Sequence, residues 1–248
     1  MSTYSLTAET NAPRDRRALR AVLVAVGLFA LGVLANLLAS VAVAVPLFLV
    51  GAGVTSAVAL VLLTLAGQLG FAAVAVAYLR RWFAGVPIRR LTRADARVIG
   101  VYTVAALLAA FGFTALSAVL PIEPTTSVLG DVAASDPWVL LAFAALSVLV
   151  VAPAEELLFR GAVQGRLRRA FGPVAAVGGA GLLFAVLHVF NFGALNAGAA
   201  VALGVIFLAG ALFGWAYERT GNLLVPMAIH GVYNAVLFGA SYLAIALA

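Results

Sequence analysis

The chain contains no cysteine, only two histidines, and just 10% charged residues among 248. Without cysteine it forms no disulfide, offers no thiolate to a metal and has no sulfur nucleophile. Lysine is missing too, so all fifteen cations are arginine. A soluble domain carries about 25% charged residues, and a chain with so few is not built to meet water on every side. No polar stretch is long enough to fold as a second domain. No HExxH zinc motif occurs, and no internal repeat supports an inverted-repeat transporter.

What is present is hydrocarbon. The chain is 65% hydrophobic, with a mean hydropathy of +1.15. That composition predicts an all-α, polytopic transmembrane bundle, a multi-pass protein of the cell membrane with the lipid bilayer as its first partner. A helix needs ~20 apolar residues to span, which yields seven candidates at roughly 20–44, 52–79, 98–120, 138–164, 173–190, 198–217 and 222–246. Residues 20–136 are read as N-terminal transmembrane helices and 137–248 as the core, in one membrane domain. The first nineteen residues read as a disordered polar tail. Ala42-Val43-Ala44 mimics a signal-peptide cleavage site, but an h-region has only ~7–15 residues, and Ala21 to Leu38 already forms a retained first span.

The arginines fall in four groups: Arg14 to Arg20, Arg80 to Arg97, Arg160 to Arg169, and Arg219. These occupy every second gap between spans. The alternate gaps, around Gly51, at Pro121 to Pro137 and at Asn191 to Ala197, hold no cation. The positive-inside rule then puts the N-terminus in the cytoplasm and the C-terminus outside. Topology and attraction to anionic lipid account for the net charge of +6, so no nucleic-acid partner is inferred. The basic loop Val86 to Arg97 is expected on the inner surface. The outer loop carries only acids, and Ser135-Asp136-Pro137 reads as a cap for the fourth span.

Against this background stand two adjacent acids. The run WVLLAFAALSVLVVAPAEELLF, Trp138 to Phe159, is uncharged except for Glu155 and Glu156. One charge at mid-bilayer costs ~3 kcal/mol on insertion scales, so a pair there points to function. His188 and His230 sit in equally apolar runs. A hairpin turning at Phe171-Gly172, with Pro173 starting the next helix, sets Glu155 opposite His188. Glu155 is ~16 Å from Arg166 along its helix, and His230 lies ~12 Å beyond the turn Thr220-Gly221-Asn222. The three should meet in the inner half of the membrane, in a cavity open to the cytoplasm. Glu156 and Arg160 are four apart, the order favoured for an ion pair. Pro153 and Pro226 are expected to kink their helices.

A buried glutamate beside a histidine can take a proton from water for attack on a carbonyl, and Glu155 is the choice for that base. His230 and Asn234, on one helix face, can donate to an oxyanion. Alternatively Glu155, His188 and His230 bind zinc, two imidazoles and a carboxylate leaving one position for water. Gln68 and Asn36 read as interhelical hydrogen bonds, Phe184 as cavity wall or core, and Asn191 as a residue able to orient His188.

EELLFR (Glu155 to Arg160), FAVLH (Phe184 to His188) and HGVYN (His230 to Asn234) match EExxxR, FxxxH and HxxxN/B in order. With the segment YERTGNLLVPMAIHGVYN, the region of about 150–247 resembles the CPBP family, which includes type II CAAX prenyl endopeptidases, Abi proteins and bacteriocin-processing enzymes. The resemblance implies an intramembrane endopeptidase acting from a cytosol-facing cavity on a protein or peptide substrate, prenylated or not. It implies that Glu155 activates water and His188 assists, that His230 and Asn234 stabilise the oxyanion, and that Glu156 and Arg160 lie beside them. Family members are labelled metalloproteases, and a metal-free glutamate mechanism has also been argued for them. Two other classes compete: a proton-linked transporter using the acids and histidines as a relay, and a non-catalytic scaffold or immunity protein. A rhomboid-type serine site is disfavoured, because Ser241 follows Gly239-Ala240 without a glycine after it.

Overall fold

Among the described residues, 14–117, 119 and 127–247 of a computed structural model, the chain is helical. Helix α1 spans Arg14–Leu49 and α2 spans Ala57–Trp82. Residues 1–13 of the expected tail lie outside the described residues, and α1 begins at Arg14 rather than near residue 20. Ser56 caps α2 by accepting from the Ala59 amide at 3.3 Å. The two helices form a tight hairpin, with Ser40 Oγ donating to the Leu63 carbonyl at 3.0 Å. A Cβ at Gly70 would fall 2.6 Å from the Ala35 carbonyl oxygen, so glycine is what permits this approach.

Helix α3 spans Arg93–Ser117. It opens on a reciprocal capping box in which Thr92 Oγ1 accepts from the Asp95 amide and Asp95 Oδ2 from the Thr92 amide. The preceding loop does not simply lie on a surface. It is tied to the turn between the last two helices, as described below. Residues 118 and 120–126 lie outside the description, and the rest of that connection holds a short helix, α4, Val128–Ser135. The expected side-chain cap at Ser135-Asp136 is absent: Ser135 Oγ turns back to the Val132 carbonyl, and Pro137 precedes the next helix without a side-chain bond.

Helix α5 runs Trp138–Leu167 as one span, but it is not uniform. Its turns widen to π geometry at Ser147–Val151 and again at Leu157–Gln164. Proline explains the first. Pro153 has no N–H to bond the carbonyl four residues back, and the neighbouring Ala152 amide reaches to Ser147, five back. The expected kink is therefore a π stretch, a form found mostly at functional sites. Gly172 and Pro173 start α6, Pro173–Leu187, as the sequence implies, and the chain then tightens into a 3₁₀ turn at His188–Asn191.

Helix α7, Ala197–Thr220, is capped by Asn196 and stops at Gly221, whose φ of 60° suits a residue without a side chain. Helix α8 is Leu224–Ala246. Pro226 falls in its first turn, where an N–H would have no helical partner, so it starts this helix rather than kinking it. Seven of these helices are long and apolar enough to cross a membrane, which makes this a multi-pass membrane protein.

Helix α5 lies at the centre, packed on α1, α2, α6, α7 and α8. Every residue from Leu158 to Gln164 is buried. Arg166, expected to emerge into water with Arg168 and Arg169, is buried as well. Large apolar side chains on α1 and α3, such as Leu23, Leu38, Val101 and Leu108, face outward, as lipid requires. Replacing Gly70 with valine should force α1 from α2 and lower stability by about 1–3 kcal/mol. Thermal unfolding of the purified protein in detergent, compared with Gly27→Val at a position with open space, measures this.

Candidate active site

The two carboxylates on α5 have different surroundings. Glu156 is fully buried and its Oε1 accepts two bonds, from Arg160 at 2.8 Å and from His230 Nδ1 at 2.9 Å. Arg160 is also fully buried, and its second nitrogen donates to the Gly210 carbonyl at 2.7 Å. Its guanidinium carbon lies 4.7 Å from the Phe184 ring centre and 5.5 Å from that of Phe213. Two aromatic faces and two strong acceptors replace water around the cation.

One turn along, Gln164 repeats the pattern. Its amide donates to the Gly214 carbonyl at 3.2 Å and to Glu218 at 2.9 Å, and Arg168 joins Glu218 at 3.0 Å. The pair Gly210/Gly214 thus presents two bare carbonyls of α7 to α5. A Cβ at Gly214 would lie 2.8 Å from the Gln164 side-chain oxygen.

Glu155 points the other way, into a cavity of about 870 Å³. Its Oε1 accepts from Gln68 of α2 at 2.9 Å. Its Oε2 is buried, has no hydrogen-bond partner in the protein and lies 3.9 Å from His230 Nε2. Glu155, His188 and Asn234 line this cavity, whereas Glu156, Arg160 and His230 are buried and are not part of its lining. His230 stacks on Phe213 at 5.0 Å between ring centres and sits between the two acids.

His188 is oriented by Phe184, not by Asn191. Because the 3₁₀ turn sends the His188 amide to residues 185 and 186, the Phe184 carbonyl is left for the ring, and Nδ1 donates to it at 2.8 Å. Nε2 is then the acceptor nitrogen of that imidazole. Phe184 belongs to the core rather than the cavity lining, and its ring touches His188, His230 and Arg160.

Sequence reasoning underrated Gln68, which holds Glu155 rather than merely joining two helices. The signal available was an amide in an otherwise apolar span, and nothing local told that its partner lay 87 residues away. Phe213 carried no signal at all, being one aromatic in an apolar helix.

The cavity's direction differs from expectation. Its walls come from Val33 to Ser40 of α1, Leu60 to Phe71 of α2, Phe143 to Glu155 of α5 and Asn234 to Phe238 of α8, with Ser127 to Leu129 and Phe190 to Phe192 at the rim. It therefore extends from the carboxylates toward the end of the bundle without arginine, not toward the arginine-rich end. The physical reason is that the arginine-side space is filled by the Glu156, Arg160 and Gln164 contacts.

Among the described residues no three acids, histidines or cysteines form a group able to hold a metal ion. Nδ1 of His230 is bonded to Glu156 and Nδ1 of His188 to the Phe184 carbonyl, which leaves Nε2 of each ring as the nitrogen that a metal would use.

Removing one partner from a buried pair strands the other's charge at about 3–5 kcal/mol. Arg160→Met should therefore lower unfolding stability by that order, and Glu156→Gln in the Arg160→Met background should restore part of it. Denaturation in detergent across the four-protein cycle reads the coupling.

Residues 137–236 match the family described as Rce1-like, type II CAAX prenyl endopeptidase. Comparison with curated proteins and with solved structures yields no match.

Proposed function

Because residues 137–236 make this chain a member of the CPBP family of intramembrane proteases, we propose that it hydrolyses a peptide bond of a membrane-associated protein or peptide, prenylated chains among them, using water activated by Glu155. The observation that carries this reading is the unpartnered Glu155 Oε2, buried at a cavity wall while Gln68 holds the other oxygen. A carboxylate held by one oxygen and open at the other suits a general base.

Water between Glu155 Oε2 and His188 Nε2 would donate one hydrogen to each. As its oxygen attacks the scissile carbonyl carbon, Glu155 takes the proton. The carbonyl becomes an oxyanion, and the donors for it are Asn234 Nδ2 and His230 Nε2–H. His230 already donates Nδ1–H to Glu156, so a second donation requires the imidazolium. Glu156 accepts from that ring, and Arg160 in turn holds Glu156 in place. Collapse of the intermediate breaks the C–N bond, and Glu155 returns its proton to the leaving nitrogen. The set works without a metal.

The test is cleavage of farnesylated and unmodified peptide libraries by protein in nanodiscs. Glu155→Gln should reduce kcat by about 10²–10⁴-fold with the fold retained, the typical share of a general base. Cleavage that survives Glu155→Gln would remove Glu155 as the base, and no cleavage by the wild type would return the chain to the transporter or scaffold readings.

Gln68 is a positioning residue. Gln68→Leu should lower kcat more than it raises KM, and Gln68→Asn, which keeps an amide donor, should lose less than Gln68→Leu. Equal losses in the two variants would sink that role. Zinc measured per chain should be substoichiometric and activity should survive chelation. Bound zinc that disappears in His188→Ala would instead establish the metal.

A further inference from the structure

Polar side chains are scarce in the first two helices, and they are not scattered. Between Arg20 and Leu49 the polar residues of α1 are Asn36 and Ser40 alone, and α2 has only Thr64 and Gln68 before Tyr78. All four line the cavity that holds Glu155. They stand ahead of residues 137–236, so the family match says nothing of them.

Bonding between the helices uses part of this set and leaves the rest. Ser40 Oγ donates to the Leu63 carbonyl at 3.0 Å, which commits its one hydrogen and leaves its lone pairs as acceptors. Gln68 Nε2 donates to Glu155 at 2.9 Å. The other end of the same amide, Oε1, has no hydrogen-bond partner, although Gln68 is only 7% exposed. A buried amide oxygen without a donor is destabilising, so an N–H brought by an occupant of the cavity suits it.

The four residues form two layers. Helices α1 and α2 run antiparallel, with Ser40 bonded to Leu63, and a Cβ at Gly67 would fall 2.5 Å from the Asn36 amide. Asn36 is therefore level with Gln68, and Ser40 with Thr64. The same Cβ would lie 2.8 Å from Ser40 Oγ, so glycine at 67 leaves room for both side chains of α1. Within each helix the layers are four residues apart, or ~6 Å along the axis. Each layer has an acceptor and a donor: Gln68 Oε1 with the Asn36 amide, and Ser40 Oγ with the Thr64 hydroxyl.

An extended peptide carries the complementary repeat. Every second residue turns its N–H and C=O to the same edge, about 6.7 Å apart. We infer that this face of α1 and α2 is a track that binds the main chain of the substrate, extended beside Glu155. Gln68 Oε1 and Asn36 take the N–H and C=O of one residue, and Ser40 Oγ and Thr64 take those of the residue two further on. One Gln68 amide holds both the base and the substrate, so the residue in the first layer lies next to the scissile bond. Side chains of the peptide meet the apolar walls from α5 and α8, Phe143, Val151 and Phe238 among them. The inference rests on the proteolytic reading for cleavage of the occupant, but not for its binding.

Main-chain contacts read no side chain, so one probe serves. It is a fluorescein-labelled farnesylated decapeptide, with analogues in which a single backbone amide is replaced by an ester at successive positions. The ester removes one N–H and keeps the shape. Equilibrium binding is measured with the His188→Ala protein in nanodiscs, a change meant to slow turnover without touching the Gln68–Glu155 bond. Two esters, two residues apart, should each weaken binding about tenfold, the loss of one bond to a buried acceptor. Gln68→Leu should erase the penalty at one of these positions and Ser40→Ala at the other, each leaving the remaining penalty in place. A substitution that only loosened the helices would raise Kd for amide and ester alike and keep their ratio.

A flat scan, penalties that survive both substitutions, or no saturable binding would overturn the track. Cleavage by the protein carrying His188 together with a flat scan removes the track and leaves the protease. The expected pattern of penalties with no cleavage by that protein leaves the track and removes the protease reading alone.

Discussion

The buried pair Glu156–Arg160 is the constraint on which the rest of the site depends. Two ions in a low-dielectric interior are tolerated only where each is surrounded by partners, and the demands of this pair arrange three helices. The cation requires a backbone carbonyl of α7 and the faces of Phe184 and Phe213. The anion requires the ring nitrogen of His230 on α8. Once both are met, α5, α7 and α8 have a single relative register, and Glu155, next in the chain, is turned toward the cavity.

The same logic accounts for the irregular backbone of α5. A uniform α-helix through Pro153 would leave carbonyls without donors at membrane depth, a cost of several kcal/mol for each group. Widening two stretches to π geometry shifts these bonds by one residue instead of abandoning them. The acids lie in the short α segment between the two, Ala152–Glu156. Irregularity here is a consequence of proline in hydrocarbon, and it sets the direction of the two carboxylates.

Much of this was legible beforehand, for identifiable reasons. Seven spans, the turns at Gly172 and Gly221, and the closeness of Glu155, Glu156 and His230 follow from hydropathy, loop length and helix rise. Those quantities are local and additive along the chain. What escaped was the role of side chains whose partners are distant. Gln68 looked like any interhelical amide, Asn191 looked nearer to His188 than the Phe184 carbonyl that holds it, and Phe213 drew no reading. The end of the bundle toward which the cavity extends was not legible either. Depth arithmetic locates a residue along a helix axis but not the direction in which the space around it is empty, and that depends on how tightly Arg160 and Gln164 close the other end.

Helix α2 has two duties at once. Leu60 to Phe71 form one wall of the cavity, and Gln68 in the same stretch holds Glu155. Any displacement of α2 from α5 that enlarges the chamber withdraws the amide from the carboxylate in the same movement. Width of the chamber and readiness of the base are therefore one mechanical variable: the general base is set only when the wall has closed around whatever occupies it.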